Sequence, residues 1–268
     1  MATLSVKVMA HPKRERFIPD LVHRLGIAHD DVVWDQKNDR WDTGRRAWEA
    51  VDQSADWGMV VQDDAIPCAD LIEGLQRALD HVPPNVLVSP YVGTRRPSRS
   101  RIERSVQDAA AAGAAFIVMP SLNWGVAIIA PTSIIDGMLP WCDTQRYPNY
   151  DRRIGRYAID VMRMETWCTF PSLVDHRTIP SLVGHGDGRT AHHFIGADNS
   201  ALSVNWSSGT IRMSTARTVA RSIGGRHRPG AYGTRGYQAA RRLRVPRQER
   251  IDDVVPERPE GAGEHDSA

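Results

Sequence analysis

Lysine is nearly missing from this chain: Lys7, Lys13 and Lys37 stand alone among 34 basic residues, and the others are arginine. The formal net charge is only +2, so the bias does not make the whole chain a polyanion binder; it fits a GC-rich coding sequence. Cysteine is also scarce. Cys68, Cys142 and Cys168 are odd in number, widely spaced and without a Cys-x-x-Cys pair, which argues against a disulfide framework and a thiolate zinc site and points to reduced thiols. Long apolar runs are lacking: the stretches at 116–120 and 124–131 fall well short of the roughly 20 residues a membrane span needs. The start of the chain has no secretory apolar core, because residues 1–10 run straight into His-Pro-Lys-Arg-Glu-Arg. These absences predict a soluble, cytoplasmic protein with no membrane span. No internal repeat is visible, and no glycine-rich phosphate loop follows the first apolar segment, which counts against the nucleotidyltransferase class.

The remaining composition is that of a globular protein, 41% apolar and 25% charged, with eight Trp for core packing. A length of 268 residues accommodates one large α/β domain, or a domain plus a tail. Buried-strand patterns at 4–10, 31–34, 57–61, 86–89, 116–119 and 126–129 alternate with helical patterns. The expected helices are 15–25 closed by Gly26, 45–53 capped by Thr43, and 70–81 with apolar residues at 71, 72, 75 and 79. Further helices are expected at 101–112, with a Ser100/Glu103 capping box and Gly113 at the end, at 132–138 opened by Thr132, and at 151–164. This alternation predicts a mostly parallel sheet flanked by helices over residues 1–205. From 206 to 268 the chain is Arg-rich and then acidic, with Gly and Pro, and reads as a largely disordered tail. Such a charge run is usually solvating; it offers contact with nucleic acid, an anionic membrane or an acidic acceptor protein.

The most informative segment is Trp57-Gly-Met-Val-Val-Gln-Asp-Asp-Ala-Ile-Pro67. An apolar strand delivers Asp63 and Asp64 onto a loop, and ligands in parallel α/β sheets sit outside the carboxyl ends of strands. Two adjacent carboxylates repel, and a Mg²⁺ or Mn²⁺ ion relieves that repulsion while bridging substrate phosphate oxygens. The same residues also read as a turn that caps the following helix. Arg45 and Arg46, after Thr43-Gly44, are candidates to pair with a diphosphate, or plain surface arginines.

A strand ending in an acidic triplet followed by x-x-Pro resembles the DxD-type motif of GT-A glycosyltransferases, and is most similar to the Glu-Asp-Asp-x-x-Pro version in enzymes that build lipopolysaccharide and related glycans. The resemblance covers about residues 4–190 and implies a GT-A-like, Rossmann-type fold. It implies transfer of a sugar from a nucleotide-diphosphate sugar donor to a hydroxyl on a glycan, lipid or protein acceptor. Carried over, Asp64 is the metal ligand and Asp63 the ribose contact, while Gln62 stands where the family has an acid and coordinates through its carbonyl oxygen or a metal-bound water. His11 and Asp35, at the ends of the first two strands, fall where the family holds base and ribose. Trp124, in Asn123-Trp124-Gly125, falls at the donor-sugar pocket. Asp151, opening a helix, falls at the general base of an inverting transfer, and His176 rather than His185 completes the metal site, its imidazole favouring Mn²⁺. Each has a structural reading as well: Asp151 as a helix cap, Trp124 as core, His176 as a packed histidine. A degenerate GT-A domain that binds nucleotide or glycan without catalysis is the alternative.

Overall fold

The first strand, β1 (Leu4–Ala10), shows how both faces of the sheet are closed. Val6, Val8 and Ala10 enter one apolar cluster and Met9 the opposite one, because successive strand side chains point to opposite faces. The same alternation holds in β3 (Trp57–Gln62), where Met59 and Val61 face one way and Val60 the other. It recurs in β7 (Ala127–Pro131), with Ala127 and Ile129 set against Ile128 and Ala130. Strands buried on both sides need helices on both faces. The protein, seen here as a computed structural model, describes residues 1–94, 99–179 and 190–213.

The other strands are β2 (Val32–Trp34), β4 (Ala65–Pro67), β5 (Leu87–Ser89), β6 (Phe116–Met119), β8 (Thr166–Thr169), β9 (Val174–His176) and β10 (Thr210–Arg212). Eight of them form one mixed sheet in the order β10-β6-β8-β5-β7-β3-β1-β2, and β4 pairs with β9 in a separate two-stranded ribbon. Four of the seven pairings in that sheet are parallel; β7 runs antiparallel to both β3 and β5, and β6 antiparallel to β8, and the β4–β9 ribbon is antiparallel too. Helices α1 (Ile18–Leu25) and α3 (Leu71–Leu79) cover one face through Leu21, Leu25, Leu71 and Leu75. On the other lie α2 (Arg40–Glu49), α5 (Ile135–Asp143) and α6 (Tyr150–Asp160), through Trp48, Met138 and Ile154. Ile102 and Val106 of α4 (Arg99–Ala112) join a third cluster with Ile117 and Cys168. Among the described residues no helix is long and apolar enough to cross a membrane.

Several expected boundaries move, each for a local reason. The segment expected as one helix at 15–25 begins as a 3₁₀ turn, Pro12–Phe17, before α1. Gly26 closes α1 at φ +63°, the left-handed conformation a glycine adopts without Cβ strain. Helix α2 is capped by Asp39, whose carboxylate accepts from the amides of Trp41 and Asp42; Thr43 lies inside it and donates to the Asp39 carbonyl. Ser100 likewise lies inside α4, and Glu103 pairs with Arg99. Thr132 opens a 3₁₀ turn ahead of α5, its hydroxyl donating to the Ala55 carbonyl.

The sheet also extends past the expected boundary at 205. Trp206 is buried and stacks near Phe116, ring centroids 5.6 Å apart. β10 then pairs in parallel with β6, and Arg212 binds Glu165. The rest of the expected tail, 214–268, lies outside the described residues. Ala201, in the 3₁₀ turn Ala201–Ser203, packs directly on α3: a Cβ added to Gly74 would stand 2.3 Å from the Ala201 Cβ and 3.2 Å from its backbone carbonyl carbon. On an exposed helix Gly→Ala stabilises by up to about 1 kcal/mol; here the overlap is with a methyl and backbone that have no rotamer to retreat into. Overpacking dominates, and Gly74→Ala is expected to destabilise by about 1–3 kcal/mol in urea unfolding. A stabilised variant would separate the 201–203 segment from α3.

The three cysteines are free and buried, and burial pushes each thiol up from 9.0 to about 12. A group whose folded value is raised contributes stability that is intact below its unfolded value and lost as pH climbs through the folded one. Melting temperature is therefore expected to fall progressively from about pH 9 upward. Below that pH the native thiols should resist a disulfide reagent that labels all three in denaturant.

Candidate functional site

The parallel strands β1, β2 and β3 end side by side, with Ala10 paired to Trp34 and Met9 to Gln62. Their next residues, His11, Asp35 and Asp63-Asp64, therefore gather at one edge of the sheet. The reversed strand β7 begins there too, since Val61 pairs with Ala127 and the Gln62 amide donates to the Val126 carbonyl at 2.8 Å. This brings Gly125 beside Gln62. The β4–β9 ribbon sets Ala65 opposite His176, and the Arg177 amide donates to the Asp64 carbonyl at 2.8 Å. His176, more than a hundred residues along the chain, is placed at Asp64 by that ribbon.

Asp63 and Asp64 are both buried. One Asp63 oxygen accepts from the His11 amide at 2.7 Å and the other from Arg14 Nη1 at 2.7 Å. The same Arg14 nitrogen donates to Asp64 Oδ2. His176 Nδ1 lies 2.8 Å from the Arg177 carbonyl, which only accepts, so Nδ1 carries a hydrogen, and Nε2 carries another and donates to Asp64 Oδ2 at 3.1 Å. Asp64 Oδ1 is buried with no hydrogen-bond partner among the described residues. Burial opposes the charge on Asp64, but His176 and Arg14 outweigh it and hold the carboxyl below its ordinary value. Burial, then the neighbouring Asp64 charge, push Asp63 the other way against the pull of Arg14. Burial works against the Arg14 charge as well, and the two carboxylates overcome it and raise its pKa. Among the described residues the two carboxylates are thus faced by one guanidinium and one imidazolium.

A second convergence lies at Gly125. A Cβ added there would meet the Tyr150 ring at 2.7 Å, Asp151 Cβ at 3.0 Å and Gln62 Nε2 at 3.3 Å. Tyr150 is buried and its hydroxyl donates to the Gly125 carbonyl, which ties the start of α6 to the start of β7. Burial, then the charges of Asp151 and Asp64, push the Tyr150 hydroxyl well above its usual value, so it stays a neutral donor. Asp151 is half-buried in the first turn of α6 and accepts from the Arg152 amide at 2.8 Å.

Of the expected site residues, Gln62, Asp63, Asp64, His11, Asp35, Asp151 and His176 all come to this edge. His11 Nδ1 accepts from the Lys13 amide, which leaves its Nε2 hydrogen directed at Asp35, 3.7 Å away. Asp35 Oδ1 accepts from the amides of Lys37 and Asp39. Trp124 is half-buried, edge-on to Tyr91 at 5.8 Å and packed over Gly93. Arg45 is not brought to the acids: it binds Asp143 on α5 and Glu49 one turn along α2. Arg46 binds Asp42 and the Trp34 carbonyl. His185 lies outside the described residues. The residue that sequence reasoning missed is Arg14. Its signal was present, a proline-led turn straight after β1 carrying a basic residue back toward the strand ends, but surface arginine is so common that the position alone does not single it out.

Among the described residues no group of three or more His, Cys, Asp or Glu side chains is arranged to hold a metal. A divalent ion bound together with substrate phosphates needs fewer protein ligands, often one or two carboxylates. The unpartnered Asp64 Oδ1 and the His176 Nε2 facing the same carboxylate fit that smaller donor set. No model of a known protein family matches the chain, and no curated protein matches it in sequence.

Proposed function

We propose that the protein is a glycosyltransferase that moves a sugar from a nucleotide-diphosphate sugar to a hydroxyl acceptor on a glycan, lipid or protein. The observation that carries this reading is the meeting, at the carboxyl ends of β1–β3, of a buried acidic pair with a histidine and, across Gly125, of a separate carboxylate on a helix start. The first set suits a charged leaving group and the second suits the attacking hydroxyl.

Asp64 and His176 would hold a Mn²⁺ or Mg²⁺ ion, with Gln62 nearby, and such an ion supplies positive charge to a departing diphosphate. The chain's own groups do the rest. Asp151 accepts the proton of the acceptor hydroxyl as its oxygen bonds to the anomeric carbon. The bond from that carbon to the diphosphate oxygen breaks with its electron pair leaving on the diphosphate, so the anomeric configuration inverts. Tyr150, bonded to Gly125, holds Asp151 in place. Asp35 and the His11 ring are the groups for the nucleoside, and Trp124 offers a half-exposed ring edge to the sugar. Arg45 drops out of the donor site, and Asp63 has both oxygens engaged by His11 and Arg14, so it orders the turn beneath the ribose rather than standing free. Three buried thiols suit a reducing cytoplasm.

The test is a thermal-shift series with UDP-, GDP-, ADP- and dTDP-sugars, each with and without Mn²⁺. One donor is expected to raise Tm, more so with Mn²⁺, and NMR of its product is expected to show inverted configuration. No shift from any donor at millimolar concentration, or a product of retained configuration, would overturn the donor assignment or the role of Asp151 respectively. Donor binding without any transfer to supplied acceptors would favour the non-catalytic alternative.

A further inference from the structure

The acidic pair already holds a cation, and that cation belongs to the chain. Arg14 Nη1 bridges Asp63 Oδ1 and Asp64 Oδ2, and its guanidinium is itself almost wholly buried. The 3₁₀ turn Pro12–Phe17 carries it there, and that turn is pinned at its base because the His11 amide donates to the other Asp63 oxygen. Asp64 Oδ1 stays unpartnered and buried among the described residues, on the carboxylate that His176 Nε2 also faces. The two ligands suited to a divalent ion thus share a carboxylate with a fixed positive charge.

We propose that Arg14 is a resident counter-cation that closes this site to free divalent metal, so that removing its charge creates a tight site for Mn²⁺ on Asp64 and His176. This rests on the reading of Asp64 and His176 as cation ligands given above. The argument is one of charge. At rest Arg14 and the His176 imidazolium balance the two carboxylates; a dication displaces the proton on His176 Nε2, so with Arg14 in place the cluster becomes +1. Without Arg14 the same dication brings the cluster to zero. Uncompensated charge of either sign is costly in a buried site. A ligand that brings its own negative charge, such as a diphosphate, offsets the added positive charge in the wild type, so metal is expected to enter together with it rather than alone.

The experiment is titration of Mn²⁺ alone, followed by the loss of its free-ion electron paramagnetic resonance signal and by calorimetry, on full-length wild type and Arg14→Gln. Binding is expected to be weak in the wild type and about tenfold tighter or more in Arg14→Gln. The gain is expected to vanish in the double variant with Asp64→Asn. Equal or weaker binding in Arg14→Gln, or a gain that survives Asp64→Asn, overturns the proposal. Arg14→Lys is the second variant: it keeps the positive charge and a nitrogen that can face both carboxylates, so Mn²⁺ binding is expected to stay as weak as in the wild type, and a gain as large as that of Arg14→Gln overturns the proposal. If nucleotide-sugars shift wild-type Tm but Arg14→Gln gains no Mn²⁺ affinity, the guarding role fails and the transferase reading stands. If Arg14→Gln gains the metal but no nucleotide-sugar binds either protein, the transferase reading fails and the guarding role stands.

Discussion

Asp64→Asn is expected to lower kcat/KM for sugar transfer by about a thousandfold, equivalent to about 4 kcal/mol of transition-state stabilisation. The amide keeps the shape of the side chain but removes the charge that Arg14 and His176 both face. It replaces an anionic ligand by a neutral one at the buried position best placed to hold a cation against a departing diphosphate. Stability is expected to fall too, because a buried guanidinium loses one of its two carboxylates; breaking a buried pair costs about 3–5 kcal/mol in full, and Asp63 retains part of it. Transfer must therefore be assayed at a temperature where circular dichroism shows the variant folded. Arg45→Ala is the internal control. Its guanidinium is held by Asp143 and Glu49 on exposed helix faces, so activity is expected to stay within about twofold, since exposed pairs of this kind contribute about 0–1 kcal/mol. If the Arg45 variant lost activity and the Asp64 variant kept it, the site would lie elsewhere.

Trp206→Ala is expected to destabilise the protein by about 3–5 kcal/mol, the range for deleting a buried aromatic side chain and leaving a cavity. Trp206 is buried in the same cluster as Phe116 and Leu75, and it precedes the edge strand β10, which is held by three parallel register positions on β6. Its loss removes contacts on one side of Phe116, and the rigid sheet cannot collapse to refill the space. The measurement is the midpoint of urea unfolding at constant m-value. A midpoint within experimental error of wild type would show that the sheet ends at β6 and that residues 206–213 add nothing to the fold. Composition alone favours that harmless outcome: in 206–213 Ser, Gly, Thr and Arg outnumber the three large apolar side chains, Trp206, Ile211 and Met213, that speak for a buried strand.

The sequence by itself determined the local parts of this protein. Strands with continuous apolar runs, such as 57–61 within β3 and Phe116–Met119, were legible because burial on both faces favours apolar residues throughout. Helix α3 was legible from its apolar stripe and α1 from Gly26 at its end. The position of Asp63 and Asp64 at a strand end followed from the same pattern, as did that of Asp151 at the start of a helix. Caps were less legible: Asp39, Thr43, Ser100 and Thr132 are all good capping residues, and which of them caps depends on where packing starts the helix.

What only the tertiary structure decided are the meetings between distant segments. Nothing in Val174–His176 announces a strand, because three residues carry too little periodicity, yet its pairing with Ala65–Pro67 is what sets His176 against Asp64. The reversal of β7, which brings Gly125 and through it Tyr150 and Asp151 to Gln62, is a choice of sheet order that local pattern does not encode. Arg14 and Arg45 make the same point from opposite sides. Both are arginines near predicted ligand-binding loops, and a side chain's partner is fixed by the whole set of charges within its reach rather than by its neighbours in sequence. Arg14 reaches two buried carboxylates and becomes the centre of the site, while Arg45 reaches Asp143 and Glu49 and leaves it.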